Sequence, residues 1–172
     1  MALTIETGAI VANADSYATV AELTTYAAAR GQTIAATDAA NEILLRKAMD
    51  YINAQEHRFQ GERVDEEDQL HAFPRYNVCR GAFLLPHTEI PREVKYAQMA
   101  LAIEAYTLDL LPTIDADEKG SVIEETVHGA VTLKYAAPAG GKVMWVSAFA
   151  KADALLATVY RNNGLQLLKS RA

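Results

Sequence analysis

The sequence predicts a mainly α protein, a small helical bundle with a long packed connector, a β-hairpin and a C-terminal helix, in a single domain over residues 1–172. Three observations carry that expectation. The chain is 51% hydrophobic, much of it alanine, which favours closely packed helices over a core of large side chains. Several segments place apolar residues at helical spacing between capping residues, glycines or prolines. One later stretch, around His128-Gly129, alternates as a two-stranded ribbon does.

The first helix opens at Thr19, where Thr19 and Glu22 form a capping box whose side chains each satisfy a backbone N–H at the helix start. Val20, Leu23 and Ala27, with Tyr26 beside them, make its stripe, and Arg30-Gly31 closes it. A second helix follows Thr37-Asp38, with Asn41 to Phe59 reading as helical and Leu44, Ala48, Tyr51, Ile52 and Phe59 near one face. Gly61 ends it. The connector then runs from Gly61 to Ile90, through a charged run at Glu62 to Asp68 and a mixed segment at Val78 to Leu85. Pro74 and Pro86 prevent one continuous helix, and its aromatic and proline anchors predict a packed loop, not a disordered one.

The third helix starts at Pro91 and runs to about Leu111, before Pro112. Val94, Ala97, Leu101, Ala105 and Leu108 form one stripe, and Tyr96, Met99, Ile103, Tyr106 and Leu110 a second. Two apolar faces imply a central helix or one covered by a neighbouring subunit. From Asp109 to Glu125 there are six acids against the single Lys119, a solvated stretch. The ribbon, about residues 122–135, pairs Val122 to Thr126 with Val131 to Tyr135 and needs something to lie against. Ala137 to Gly141 is a break, and the last helix covers about Ala148 to Tyr160. The tail from Arg161 to Ala172 has three basic residues, no acids, and the apolar Leu165, Leu167 and Leu168.

Chemistry is not what the pattern favours. The net charge of -6 opposes a main task of gripping phosphates, which rests on clustered Lys and Arg. The four histidines, His57, His71, His87 and His128, are scattered without metal-site spacing, so no metal or cofactor is implied. Glu66, Glu67 and Asp68 read as a solvated surface, and Asp50 and Glu56 as surface or salt-bridge groups. Cys79 has Arg75 and Arg80 near it but no histidine base placed to make a nucleophile pair, and as the only cysteine it fits a reducing compartment. Ala139-Gly140-Gly141 lacks the ending of a phosphate loop. The expectation is a protein that is not an enzyme. Met1 to Glu6 shows neither the basic start nor the apolar run of a signal peptide, and no segment reaches membrane-spanning length, so no membrane partner is expected.

Taken in order, several short segments resemble the head–tail connector (adaptor) proteins of tailed bacteriophages. They are Asn13-Ala-Asp-Ser-Tyr17 before a short helix ending Ala29-Arg30-Gly31; Ala48-Met-Asp-Tyr-Ile52 leading to Arg58-Phe59-Gln-Gly61; Phe73-Pro-Arg75; and Ile90-Pro91 followed by Val94-Lys95-Tyr96-Ala97. The likeness covers about Asp15 to Leu111, a helical body over residues 15–111, with the hairpin and the C-terminal helix and tail (148–172) following in the expected order. Arg80 to Thr88 is longer than the family's loop. Members of the group are often labelled DnaT-like single-stranded-DNA-binding proteins. The resemblance implies a structural virion protein of the neck, assembled in the host cytoplasm as a dodecameric ring beneath the portal protein. Such a ring extends the DNA channel, passes DNA without specific binding, and offers a docking surface to a tail or neck completion protein. On that reading Phe59, Phe73, Pro74 and Arg75 anchor the connector, and Tyr96, Met99, Ile103 and Tyr106 lie at a subunit interface. His128, Gly129, Arg161, Leu165, Leu167, Leu168, Lys169 and Arg171 dock onto portal or tail. The competing expectation is a single-stranded-DNA-binding replication accessory using Arg58, Arg75, Tyr76 and the basic tail.

Overall fold

A computed structural model describes residues 3–111 and 149–161 and the two strands 124–127 and 131–134. The chain divides into two compact units, Met1–Leu110 with Phe149–Ala172, and Leu111–Ala148. The first unit holds four helices: α1 (Val20–Ala28), α2 (Asp38–Ala54), α3 (Arg92–Glu104) and α4 (Ala150–Leu156). The second unit contributes β5 (Glu124–Val127) and β6 (Val131–Lys134), antiparallel with Val127 opposite Val131. His128 and Gly129, between them, lie outside the described residues.

Local chemistry sets the starts of the helices. The Thr19 hydroxyl accepts from Glu22 N at 3.1 Å and the Glu22 carboxylate accepts from Thr19 N at 2.7 Å, the reciprocal capping box. The chain reverses at Gly31, φ +60°, and Gln32 N donates to Ala27 O at 3.0 Å. Thr37 caps α2 by accepting from Ala40 N at 3.3 Å, so α2 begins at Asp38, earlier than the periodicity suggests.

The ends of the helices depart from expectation. α2 stops at Ala54, a 3₁₀ turn follows over Glu56–Arg58, and Phe59 is extended (φ -75°, ψ 149°) rather than helical. The reason is a partner about a hundred residues away: Phe59 bridges Tyr160, and Gln60 N donates to Val159 O at 3.0 Å. α3 stops at Glu104 instead of about Leu111, its end tightening as Tyr106 N donates to Ile103 O and Thr107 N to Glu104 O.

α3 is the central helix of its unit. It packs on α2 and α4 and touches α1, and every residue from Ala97 to Ile103 is buried. The only polar member of that run, Gln98, is fully buried and fully satisfied. Its Oε1 accepts from Tyr17 N (3.0 Å) and Ala18 N (3.1 Å), and its Nε2 donates to Ser16 Oγ (2.8 Å) and Leu45 O (3.1 Å). One side chain thus joins the N-terminal segment, α2 and α3.

The connector folds into two short antiparallel pairs, β1 (Glu62–Arg63) with β2 (Arg75–Tyr76) and β3 (Cys79–Arg80) with β4 (Phe83–Leu84). The fold of the described residues is therefore mixed, four helices with small antiparallel ribbons, where the sequence reads as mainly α. Strands of two residues show no period to read; turns set them instead, Gly61 at φ +69° and Gly81 at φ +64°. At Gly61 a side chain is also excluded by space, because a Cβ would sit 1.8 Å from Tyr76 O.

Candidate functional site

Two features of the first unit stand out: a connector locked by buried polar contacts, and an aromatic, basic groove between α1 and α3.

Phe59, Phe73, Pro74 and Arg75, expected as connector anchors, are all buried and lie together. The Phe59 ring meets Phe73 edge-on at 5.0 Å and stacks on Tyr160 at 5.3 Å. The peptide bond from Phe73 to Pro74 is cis. Arg75, only 6% exposed, donates to Gln60 O (2.8 Å), Gly61 O (2.8 Å), Ala72 O (3.2 Å) and Glu56 Oε1 (3.1 Å). Arg63 completes the cluster with two bonds to the same carboxylate, at 2.7 and 2.6 Å. The Arg63 hydrogen bonds, opposed by partial burial and reinforced by Arg75, hold the Glu56 carboxyl below its usual range. Glu56 is therefore the salt-bridge group of the two readings the sequence left open.

Gln69, which the sequence reading did not single out, finishes the lock with Tyr17 and Gln60, which enter that reading only as parts of longer segments. Gln69 donates to His71 O and Pro74 O and accepts from Val64 N and Asp65 N. Tyr17, fully buried, accepts from Phe73 N at 2.9 Å, and burial pushes its hydroxyl pKa far up. Gln60 reaches the C-terminal segment through bonds to Thr158 O and Tyr160 O.

Arg161, expected in the docking tail, is exposed and also braces the fold: its N donates to Arg58 O at 2.7 Å and its Nε to Phe59 O at 2.8 Å. Leu165, Leu167, Leu168, Lys169 and Arg171 lie outside the described residues. Of the set expected at a subunit interface, Met99 and Ile103 are buried inside the chain itself, whereas Tyr96 and Tyr106 are exposed by 41% and 49%. The correction follows from α3 being central, which consumes most of its second stripe.

The arginines expected to hold single-stranded DNA make contacts within the chain. Arg75 is buried in the ion pairs above, and Arg58 stacks 4.1 Å over the Tyr160 ring and lies 3.7 Å from Asp153. Tyr76 packs its ring 4.5 Å from that of His87. His71 accepts from Asn53 Nδ2 through Nδ1 at 3.0 Å and donates from Nε2 to Ala14 O at 2.7 Å. Among the described residues no three His, Cys, Asp or Glu side chains gather as a metal site, and no helix is long and apolar enough to cross a membrane.

The groove is of a different character. It encloses about 590 Å³ between α1 and α3, floored by Ala21, Ala29, Tyr26, Tyr96 and Met99. Arg30, Arg92 and Lys95 rim it, against one lining acid, Glu22, which is already spent on the Thr19 cap. The Arg30 guanidinium lies 3.5 Å from the Tyr26 ring centroid, and Tyr96 meets the same ring at 5.6 Å. Lys151 of α4 stands 5.8 Å from Tyr26 on the same side of the molecule. Other exposed apolar groups sit at the β3–β4 tip (Phe83, 60%; Leu84, 58%) and after α3 (Leu108, 54%; Leu111, 49%).

A family model described as "Putative DnaT-like ssDNA binding protein" matches residues 1–172. The chain belongs to that family. No curated protein and no solved structure matches it. Within the DnaT-like family, this member keeps its buried basic residues for its own connector and leaves exposed ones around the α1–α3 groove.

Proposed function

We propose that this chain is a structural virion protein that forms the head–tail connector ring between portal and tail and extends the DNA channel, with no catalytic role. The ordered segments from Asn13 to Ala97 support the reading through their resemblance to phage adaptors. The observation that carries it is the pairing of a polar-locked interior with large apolar side chains left outside. Phe83, Leu84, Tyr96, Tyr106, Leu108 and Leu111 are each at least 41% exposed. Such residues in number mark surfaces that another protein covers. A ring uses them heterologously, each subunit's patch meeting a different patch on the next.

On this reading the partners are further copies of the chain, a dodecamer in the adaptor pattern, then the portal protein on one side and a tail or neck completion protein on the other. The tail residues Leu165 to Arg171 and the residues His128-Gly129 are proposed docking elements, and the protein resides in the virion neck. DNA passes without specific binding, since a chain of net charge -6 repels phosphates.

The test is mass and shape of the purified protein, alone and with its cognate portal protein, by light scattering and electron microscopy. A ring, or stoichiometric recruitment onto the portal, is expected. Failure to associate in either setting overturns the proposal. Deleting Leu165 to Ala172 is expected to leave the fold intact and weaken portal loading.

A second reading, single-stranded-DNA binding, is favoured by the family's description and by Tyr96 with Arg30, Arg92 and Lys95 around one groove. It predicts oligonucleotide affinity that falls steeply as salt rises.

A further inference from the structure

The α1–α3 groove has a chemistry that specifies its occupant. Its floor is apolar and its rim carries three cations against one acid, inside a chain whose net charge is -6. Lys95 has no ion-pair partner among the described residues. Arg92 keeps its side chain 73% exposed although its Nε meets Glu93 at 3.1 Å. A positive, half-apolar cleft on an acidic protein calls for a ligand with carboxylates and aliphatic side chains.

The same chain contains a segment of that composition beyond α3. Between Asp109 and Glu125 it carries six acids and one lysine, interspersed with Ile114, Val122 and Ile123. We infer that the groove between α1 and α3 receives the acidic segment around Asp115 to Glu125 of a second copy of this chain, making a head-to-tail contact that repeats from subunit to subunit. Carboxylates of Asp115, Asp117 and Glu118 meet Arg30, Arg92 and Lys95, and the aliphatic residues cover Ala21, Ala29 and the exposed face of Tyr96. Because groove and segment are different patches, each subunit gives one and takes one, which is the heterologous geometry that closes into rings.

A single strand of nucleic acid suits the groove less well. Base stacking needs free aromatic faces. Tyr26 is 6% exposed and already faces Arg30 and Tyr96, which leaves Tyr96 as the one platform, while the Glu22 carboxylate lines the cleft where phosphates would run.

This inference rests on the ring reading, so the experiment separates the two. Three samples are compared, each alone and with the cognate portal protein, by light scattering and electron microscopy: wild type, Arg92→Glu/Lys95→Glu, and Asp115→Lys/Asp117→Lys/Glu118→Lys. Circular dichroism confirms that each variant folds, and Lys95→Glu alone replaces the double reversal if that one does not. Expected are rings from wild type that loosen as salt rises, none from either variant alone, and rings restored when the two variants are mixed. Mixing matters because a reversed groove then finds a reversed segment on another molecule, and a normal groove a normal segment. Rings from either variant alone, or no rescue on mixing, overturn the inference and leave the connector reading standing. No ring or portal recruitment from wild type overturns both. Loss of oligo-dT binding in Arg92→Glu/Lys95→Glu with rings unaffected assigns the groove to nucleic acid instead.

Discussion

Arg75→Met is the substitution that most directly tests how the connector is held. Methionine keeps much of the length and apolar stem but removes every N–H, so Gln60 O, Gly61 O and Ala72 O each lose a donor and Glu56 loses one of its two arginines. Only the Ala72 contact is fully buried; the others are partly buried, and Glu56 keeps both bonds from Arg63. Leaving one buried carbonyl unpaired costs about 1–3 kcal/mol, and each of the two partly buried bonds to backbone carbonyls is worth about 1 kcal/mol net, while Glu56 stays paired with Arg63. The sum, about 3–5 kcal/mol, agrees with the usual cost of removing one partner from a buried ion pair.

Urea unfolding measures this. With a slope of about 2–3 kcal/mol per molar for a chain of this size, the midpoint falls by about 1–2.5 M. Arg80→Met supplies the comparison: its pair with Glu93 is as short, 2.6 Å, but the Arg80 side chain is 39% exposed, so the expected loss is under about 1 kcal/mol. If Arg75→Met destabilises no more than Arg80→Met, the connector is held by its aromatic packing and the polar lock is incidental.

Gln98→Leu leaves Tyr17 N and Leu45 O without their partner in the core and is expected to cost about 2–4 kcal/mol, read as a fall in Tm of about 5–15 °C. Gly61→Ala combines a positive φ with a 1.8 Å clash against Tyr76 O, so more than about 1 kcal/mol is expected, with hydrogen-exchange protection lost first at β1–β2. Phe83→Ser/Leu84→Ser, on a hairpin tip already in water, is expected to change unfolding by less than about 0.5 kcal/mol while reducing assembly measured by light scattering. Asp15, Glu56 and Glu93 all have carboxyls held below their usual range. Arg46 does this for Asp15 and Arg63 for Glu56; burial opposes it at Glu93, where a backbone amide, Arg80 and Arg92 outweigh it. Groups with depressed folded pKa stabilise above the unfolded value, so denaturation midpoints should be level above about pH 5 and fall as acid protonates these three. A midpoint that rises on acidification would contradict the ion-pair assignments.

What the sequence made legible was local. The Thr19–Glu22 box and Pro91 before α3 involve neighbours within one helical turn, so their geometry follows from adjacency. Phe59 was readable as apolar and buried but not as extended, because Val159 and Tyr160 decide its conformation. The ribbons in the connector were missed for a related reason: pairs of two residues have no period, and only Gly81-Ala82 between Arg80 and Phe83 hinted at a tight turn. Gln98 did leave a signal, a lone amide between Ala97 and Met99 in a run that is otherwise apolar to Ile103. The groove left none, since Tyr26 and Tyr96 meet only when α1 and α3 are packed side by side.

The division of labour among the basic residues bears on function as well as on stability. A protein that binds nucleic acid strongly keeps its arginines exposed and free, because each phosphate contact needs an unpaired cation. Here Arg46, Arg58, Arg63, Arg75, Arg80 and Arg92 are each within 4.0 Å of a carboxylate of the same chain, and Arg161 is tied to a backbone carbonyl. What remains around the α1–α3 groove is a small positive patch on an acidic molecule, too small to offset long-range repulsion from a polyanion yet well matched to a short acidic peptide that brings its own apolar side chains. Salt distinguishes these outcomes: docking of such a peptide weakens modestly as the Debye length shrinks, whereas single-strand phosphate binding steepens by a log–log slope of about 0.7 with each added contact. A shallow salt dependence of self-association, together with no measurable oligonucleotide affinity, is the outcome expected on the connector reading; tight, steeply salt-dependent oligonucleotide binding would overturn it.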